Sequence, residues 1–559
     1  MLTAIALLAN LLVATSAPVG VTTADVFPPP NTEVDTGLFP DRTVVGFPHV
    51  TRTGAEPGAF FTAPADQFPR VQQPFGPAVL PRPKGGKAPK KPKKGQFEPI
   101  TSWGYLTPRY SLDPCTWGAC DASPIVPEQC TMSSVHQLMR HGARYPTAGD
   151  AAEVFATRLL NASTMGDFEA SGDLAFLNDW TYKLGSDILI PFGRLQCMEL
   201  GVRSRLAYGQ LLNDFTEKGT LPVVSSLPTR LSQFRTGSID RMVETMEAFG
   251  QGFFGRDSDK QFSMTIAIES KGINATVYPG GGTCPNSALD VVASKLGMAE
   301  FVNRTMAGTA ARLQAHVKGY TITPADVQTM LSLCAYETLA LGYSAFCPLF
   351  TEEDFRNMAY AYDIMFYYGN GFGGQTTAAQ GKGWVQEFLA RLTHTPIEVY
   401  DSSTNSTLND NPETFPLNQS IYADASHDSY IMSTMVALNL TALNAFGRLP
   451  TDVDKSLDYR PFYSSKIVPF NTNFVVQVMR CDGREGEQIR FILNDAIIPL
   501  HETYAGCEGD DDGLCALEHV VAALQTRVAE IDYHKACNGP LFNITETSQL
   551  RDSNGMPYV

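Results

Sequence analysis

Residues Ser134-Val-His-Gln-Leu-Met139 have the composition of a short buried strand, and the chain passes from them directly into Arg140-His141-Gly142-Ala143-Arg144-Tyr145-Pro146. In open α/β sheets, ligands bind beyond the carboxyl ends of the strands. A polar turn in this place therefore predicts an α/β fold with a binding or catalytic site at the end of this strand.

The turn places one imidazole, His141, between the guanidinium groups of Arg140 and Arg144. Guanidinium groups hold phosphate oxygens in a planar, forked geometry that lysine cannot copy. Neighbouring cations disfavour the charged imidazole and lower its pKa, so that a ring nitrogen keeps its lone pair in mild acid. The pattern predicts that His141 attacks phosphorus. An ordinary surface histidine is the alternative, and it fits a bare His-Gly pair better than this seven-residue pattern.

A second polar turn, Ala425-Ser426-His427-Asp428, follows another strand-like run. Cleavage of a phosphate ester requires a proton for the departing oxygen, and a carboxyl group beside a phosphate's negative charge keeps its proton into the working pH range. We therefore expect Asp428 to be the proton donor. The arrangement requires no metal ion or other cofactor, because arginines and histidine can stabilise the charge that a metal stabilises in other phosphoryl-transfer enzymes.

Strand-like and helix-like periodicity alternate after residue 97. Further strands are predicted over residues 231–235, 264–269, 420–425, 474–480 and 488–493. Helices are predicted over residues 242–254, 310–317, 324–341, 352–368 and 383–392. This order predicts a mixed or parallel sheet flanked by helices, with helical segments at 151–221 and 285–394 inserted as a cap.

The N-terminal part of the chain has the character of a leader and a spacer. Residues 1–16 are apolar and end in small residues, as in a cleavable signal peptide; an uncleaved anchor is the alternative, although the run is short for a bilayer span. Residues 17–97 are rich in Pro and Gly and predict a flexible spacer. Their lysine-rich block at 84–94 is open to three interpretations: a solvated linker, a tether to a polyanion or the cell wall, or a processing site.

The composition of the whole chain limits its partners. The 559 residues carry a formal net charge of -16, which argues against nucleic acid and requires an enzyme acting on phosphate to concentrate positive charge locally. No stretch after the leader is long and apolar enough for stable membrane insertion. We expect residues 98–559 to form one exported catalytic domain, with association with the cell wall as an open alternative.

Cysteines and glycosylation sites agree with export through an oxidising compartment. There are eleven cysteines, and this odd number leaves at least one thiol unpaired or intermolecular. The predicted glycosylation sites, all Asn-x-Ser/Thr, are Asn161, Asn274, Asn303, Asn405, Asn418, Asn439 and Asn543.

The run from Arg140 to Thr147 resembles the signature of the histidine acid phosphatases, and longer segments resemble their fungal phytase-like branch. The segments that carry this likeness are 176–185, 191–193, 346–355, 366–373 and 387–392. The resemblance implies a phosphoglycerate-mutase-like architecture and hydrolysis of phosphomonoesters through a phosphohistidine. It implies these roles: phosphorylation of His141, proton donation by Asp428, and phosphate binding by Arg140, Arg144, Arg235 and His427.

The same resemblance implies a disulfide framework. Its four pairs are Cys130–Cys481, Cys284–Cys537, Cys334–Cys347 and Cys507–Cys515. Cys115, Cys120 and Cys197 remain, and a bridge between the first two is one open possibility. Arg241, at the start of a predicted helix, is expected to be structural.

One segment departs from the family pattern. Fungal phytases commonly follow the signature with a lysine-rich stretch that helps to bind inositol hexakisphosphate, whereas residues 148–155 here are acidic and contain no lysine. Lys183 or Lys271 could compensate, so inositol hexakisphosphate stays one candidate among phosphomonoesters. Two other interpretations are open: a catalytically idle exported or wall-associated binding protein, and a phosphoglycerate-mutase-type transferase, which agrees poorly with export.

Overall fold

The computed structural model describes residues 97–213, 232–256, 258–279, 283–444 and 447–540. The predicted leader, the spacer up to residue 96 and the predicted glycosylation site at Asn543 lie outside these ranges. Phe97, the first described residue, packs its ring 6.1 Å from that of Phe355, so the folded domain has begun by this point.

Within the described ranges, ten strands form two sheets. They are β1 (Cys130–Arg140), β2 (Glu169–Ala170), β3 (Ser232–Gly237), β4 (Phe262–Ala267), β5 (Val317–Lys318), β6 (Ile421–Ser426), β7 (Asn473–Cys481), β8 (Glu487–Leu493), β9 (Ala496–Ile498) and β10 (Cys515–Ala516). The main sheet has the order β10-β8-β7-β1-β6-β3-β4, with β9 beside β8; β2 and β5 form a small separate pair. Strands β1, β6, β3 and β4 are parallel, and β7 and β8 continue the sheet in antiparallel fashion.

Helices surround this sheet. They are α1 (Ala151–Thr164), α2 (Pro191–Tyr208), α3 (Gln210–Asn213), α4 (Asp240–Phe254), α5 (Ser287–Thr305), α6 (Ala307–Gln314), α7 (Pro324–Leu341), α8 (Glu352–Gly369), α9 (Thr377–Thr393), α10 (Ser406–Asn409), α11 (Asp428–Ala437), α12 (Ser464–Ile467), α13 (Leu517–Glu530) and α14 (Tyr533–Asn538). In the part of the chain that the structure describes, no helix combines the length and the apolar character needed to cross a bilayer.

Both faces of the main sheet are covered, and for this reason the central strands are almost continuously buried, including polar residues such as His136 and Gln137 of β1. On one face, the side chains of α2 and α4 pack with Phe234 of β3 and Met139 of β1. On the other face, α9, α11 and α13 pack on β7 and β8 around Phe491. The predicted α/β class, a mixed sheet flanked by helices, is confirmed.

Two helices within the predicted cap segments pack against the sheet. Helix α2 lies within the predicted insertion 151–221, yet its Leu200 packs into the core under the sheet. Helix α9 lies within 285–394, yet Trp384 and Arg391 donate hydrogen bonds to Asp424 of β6. Both helices therefore belong to the layers that cover the sheet, and α1 and α5–α8 form the outer helical part of the same continuous core.

Helix α7 shows why some boundaries could be predicted. It begins at Pro324 after a capping box, in which the Thr323 and Asp326 side chains and backbone amides satisfy each other, and it ends before Gly342, which adopts a left-handed φ of 84°. The observed span is the predicted one, because both of its ends are encoded locally.

Five disulfides are present, of which Cys130–Cys481 and Cys284–Cys537 link parts of the chain that are distant in sequence. The pairs are Cys115–Cys120, Cys130–Cys481, Cys284–Cys537, Cys334–Cys347 and Cys507–Cys515. They include the four pairs that the resemblance implies and also a bridge between Cys115 and Cys120, which is one of the possibilities that the sequence allows. Cys197 is a buried free thiol.

Candidate active site

Four parallel strands end side by side and bring separate polar turns together. Arg140 at the end of β1 is in register with Ser426 at the end of β6, and the amide of His141 donates a hydrogen bond of 3.3 Å to the Ser426 carbonyl. The imidazole rings of His141 and His427 consequently lie with their centroids 5.6 Å apart. The two polar turns that follow strand-like runs in the sequence thus form a single site.

Two glycines allow the signature turn to lie against the first turn of α2. A Cβ atom on Gly142 would lie 2.2 Å from the Gly193 carbonyl oxygen, and one on Gly193 would lie 1.9 Å from that of Ala143. Any side chain at either position would push the two backbones apart. The amide of Ala143 also donates to Gln196 Oε1 at 3.0 Å, so α2 fixes the position of the turn.

His141 is buried, and its hydrogen bond fixes which nitrogen is reactive. Nδ1 lies 2.8 Å from the Gly142 carbonyl oxygen. Because a carbonyl can only accept, Nδ1 must carry the proton and Nε2 keeps its lone pair. Burial, followed by the charges of Arg140 and Arg241, holds the pKa of His141 well below its ordinary value of 6.5. The imidazole is therefore neutral and suited to act as a nucleophile.

Arg140 is fully buried and rigidly held. Its Nη1 donates to the carbonyl oxygens of Tyr105 and Val468 at 2.5 and 2.6 Å, and its guanidinium lies 4.3 Å from the centre of the Phe470 ring. Its Nη2 forms an ion pair of 2.5 Å with Asp428. Burial lowers its pKa to about 10, which still leaves the group charged at any pH at which the fold operates.

Arg144 and Arg241 bring two further guanidinium groups to the site, and neither makes a short ion pair within the described residues. Arg144 donates to the carbonyl of Tyr145 at 2.8 Å and makes no ion pair with any carboxylate in the described ranges. The ion-pair partner of Arg241 is Asp187, at 3.7 Å. Burial and then the charge of Arg144 lower the pKa of Arg241 to about 10. Each guanidinium has a buried Nε–H without a hydrogen-bond acceptor among the described residues. Such a cluster favours a bound anion.

Asp428 and His427 stand at the start of α11. The Asp428 carboxylate accepts hydrogen bonds from the amide and hydroxyl of Ser429 at 2.7 and 3.1 Å. Burial acts to raise the pKa of Asp428, but Arg140 and Arg144 outweigh it, so that the pKa lies below its ordinary value. Without a bound anion the carboxyl is therefore ionised. His427 Nε2 lies 3.0 Å from Glu269 Oε2.

Arg235, for which the resemblance implies phosphate binding, contacts two buried carboxylates in the fold. Its Nε and Nη2 each donate to Asp424 at 2.8 Å, and its Nη1 forms an ion pair of 2.7 Å with Glu387. Arg235 lies two residues before the end of β3 at Gly237, whereas the predicted strand ended at residue 235. These two carboxylates therefore neutralise its positive charge. The sequence predicts a structural role for Arg241. In the fold, its positive charge helps to lower the pKa of His141.

Sequence reasoning did not identify Glu269 as a residue of the site. It comes two residues after β4, beside β3 in the sheet, and its side chain is 1% exposed. The signal that could have found it is its position at the end of a strand-like run parallel to the other three. No cluster of three or more His, Cys, Asp or Glu side chains suited to a metal ion occurs within the described residues.

Comparisons with known proteins agree with this geometry. Residues 131–494 match the family described as the histidine phosphatase superfamily, branch 2. The chain is 32% identical to Phytase A of Aspergillus fumigatus over 448 residues, which cover 77% of this chain and 89% of that protein. It is 29% identical to Phytase A of Neurospora crassa over 503 residues, covering 80% and 94% of the two chains.

Solved structures show the same fold. The phytase from D. castellii superposes with a TM-score of 0.61 at 21% sequence identity, covering 87% of this chain and 94% of that one. The Bifidobacterium longum multiple inositol polyphosphate phosphatase, solved with inositol hexasulfate, superposes with a TM-score of 0.55 at 12% identity, covering 76% and 97%. The chain belongs to branch 2 of the histidine phosphatase superfamily and is a phosphoric monoester hydrolase of the histidine acid phosphatase type.

Proposed function

We propose that this enzyme transfers the phosphoryl group of a phosphomonoester to Nε2 of His141 and then to water. The observation that carries the proposal is the convergence of a neutral, buried imidazole with three arginine side chains, of which Arg144 makes no ion pair among the described residues and Arg241 makes a long one, of 3.7 Å, with Asp187. In a protein of net charge -16, this local excess of positive charge favours one anionic group at this place. Arg140, Arg144, Arg241 and His427 hold the phosphoryl oxygens.

Asp428 protonates the leaving oxygen. In the free enzyme its proximity to Arg140 and Arg144 keeps it ionised. A bound phosphate dianion screens these two arginines and places negative charge beside the carboxylate, and both effects raise its pKa. The substrate therefore brings about the protonation that its own cleavage requires. In the second half of the cycle the resulting carboxylate accepts a proton from the water that attacks the phosphohistidine.

The substrate class is a phosphomonoester, and inositol hexakisphosphate is the candidate that the names of the relatives supply. Next to Arg144, the N-terminus of α1 is capped by Asp150, which accepts from the amides of Ala152 and Glu153. Glu153 in turn accepts from the amide of Gly149 at 2.7 Å. These carboxylates occupy a helix terminus that could otherwise bind a second phosphate. Lys183 and Lys271, the two lysines that could compensate for the missing lysine-rich stretch, are exposed to solvent. We expect kcat/KM for inositol hexakisphosphate to be no greater than for a small monoester.

Hydrolysis of p-nitrophenyl phosphate, glycerol phosphate and inositol hexakisphosphate at acid pH tests this function. His141→Ala is expected to abolish hydrolysis of all three substrates without unfolding the protein. His534→Ala, at an exposed histidine of α14, is the matched control and is expected to keep normal turnover. Near-normal turnover by His141→Ala would remove His141 as the nucleophile. Binding of phosphate without turnover by the wild type would favour the idle binding protein instead.

We also propose that the protein is exported. The five disulfides agree with an oxidising compartment, since such bonds are rare in reducing ones. The apolar leader, the spacer and the glycosylation sites support the same route. Mass spectrometry of the protein in culture medium tests the proposal: a mature N-terminus after residue 16 and glycans at the Asn-x-Ser/Thr sites are expected, and retention inside the cell would contradict it.

A further inference from the structure

Glu269 is a buried carboxylate next to the reacting groups to which the proposed mechanism gives no task. Its Oε2 lies 3.0 Å from Nε2 of His427, and the two side chains are 1% and 7% exposed. We propose that Glu269 is a positioning residue, which fixes the ring of His427 and keeps it positively charged while it holds the phosphoryl group. This inference rests on the proposed function, because it assigns Glu269 a task only through the phosphate contact of His427.

The contact determines the protonation of the imidazole. A carboxylate can only accept, so the hydrogen bond requires a proton on Nε2 of His427. Nδ1 makes no hydrogen bond to any residue that the structure describes. If His427 holds a phosphoryl oxygen as proposed, Nδ1 is the nitrogen left to donate to it, and it must then carry a proton as well. Glu269 balances the resulting charge of the imidazolium.

The fold builds this contact in two ways. The amide of Glu269 donates to Ser238 Oγ at 2.9 Å, and this hydrogen bond fixes the backbone of Glu269. Gly237, the last residue of β3, leaves room for the carboxylate, because a Cβ atom there would lie 1.7 Å from Glu269 Oε1. A carboxylate is buried at considerable cost unless it is paired, and His427 is the partner with which it makes a hydrogen bond.

Glu269 gives His427 a hydrogen-bond partner that differs from the partner of His141. His141 bonds to a neutral carbonyl and is kept neutral, as a nucleophile must be. His427 bonds to a carboxylate, as a cationic phosphate ligand should. Two imidazoles 5.6 Å apart thus acquire different charges because their outer hydrogen-bond partners differ. The titratable and charged groups around this pair are His141, His427, Glu269, Asp428, Arg140, Arg144, Arg241, Tyr278 and Tyr430.

The test is the substitution Glu269→Gln, which keeps the side-chain size and the capacity to accept from Nε2 but removes the charge. The readouts are the inhibition constant of inorganic phosphate and the kcat and KM for p-nitrophenyl phosphate, between about pH 4 and 7. We expect the inhibition constant and KM to rise roughly 10- to 100-fold, as on loss of a charged hydrogen bond, with kcat changed less than about threefold.

Two further variants keep the test decisive. Gly237→Ala leaves the charge in place but displaces the carboxylate, and it should change the same constants in the same direction even if Glu269→Gln does not fold. Asp363→Asn is the matched control: this buried carboxylate of α8 pairs with Arg460 and Ser464, so its loss should lower Tm and leave phosphate inhibition unchanged.

The outcomes separate this inference from the proposed function. An inhibition constant that rises less than about threefold in both Glu269→Gln and Gly237→Ala, or a loss of kcat without a change in phosphate inhibition, would overturn the role of Glu269. The wild type and His141→Ala, assayed beside them, report on the proposed function itself. An active wild type and an inactive His141→Ala protein would show that only the Glu269 inference had failed.

Discussion

Replacing Arg235 and Arg241 separately by methionine tests which of these two arginines binds phosphate. Arg235→Met removes a guanidinium that donates to Asp424 and pairs with Glu387 at 2.7–2.8 Å. Removing one partner of a buried ion pair destabilises a protein by about 3–5 kcal/mol. Because Asp424 keeps its bonds from Arg391 and Trp384, we expect the lower end, about 3 kcal/mol.

The corresponding change in Tm follows from the size of the domain. Roughly 440 residues, at about 2.1 cal/mol/K each, give an entropy of unfolding of about 0.9 kcal/mol/K. A loss of about 3 kcal/mol therefore lowers Tm by about 3 °C. Phosphate inhibition of Arg235→Met should stay within about twofold of the wild type, because the Arg235 guanidinium is bound to Asp424 and Glu387.

Arg241→Met should behave in the opposite way. Its charge is already disfavoured by burial and by Arg144, which lower its pKa to about 10, so the fold loses little when it is removed. We expect an unchanged or higher Tm and an inhibition constant of phosphate raised roughly 10- to 100-fold. Calorimetry measures the Tm of both variants, and inhibition kinetics measure their binding of phosphate. Weakened phosphate inhibition in Arg235→Met together with normal inhibition in Arg241→Met would refute the assignment.

Three more predictions concern the proton donor, the nucleophile and metals. Asp428→Asn should lower kcat for glycerol phosphate by about 10²- to 10⁴-fold but that for p-nitrophenyl phosphate much less, since nitrophenolate leaves without a proton; equal losses on both substrates would argue against Asp428 as the acid. Because the pKa of His141 is held well below 6.5, the wild-type kcat/KM should not fall as the pH drops from 7 to about 5, and a decline centred near 6.5 would show that His141 titrates normally. Dialysis against EDTA should leave hydrolysis unchanged, and a loss restored by a divalent cation would contradict the metal-free mechanism.

The fold could be predicted where its determinants are local. Helix α7 carries both of its end signals in the sequence, and the end of β1 is marked by the change from Leu138 and Met139 to the polar turn at Arg140. The attachment of α9 to the sheet was missed because it depends on Asp424, which is distant in sequence from Trp384 and Arg391. A periodicity shows that a helix has a buried face but not which element covers it.

The site could be predicted only in part for a similar reason. Polar turns after strand-like runs identified His141 and Asp428, because parallel strands bring their carboxyl ends to one edge. The partners of the arginines could not be predicted from the sequence. The resemblance implies that Arg235 binds phosphate, whereas its contacts in the fold are Asp424 of β6 and Glu387 of α9, both distant from it in sequence.

The chemical form of the phosphorylated enzyme tests the central claim most directly. Wild-type protein mixed with a phosphomonoester labelled in its phosphoryl group, and quenched within milliseconds in alkaline denaturant, should carry one acid-labile label. Peptide mapping should place the label on His141, and ³¹P resonance should place it on Nε2, because Nδ1 bonds to the Gly142 carbonyl. A label on another residue, a label on Nδ1, or turnover with no labelled enzyme at any time would contradict the mechanism.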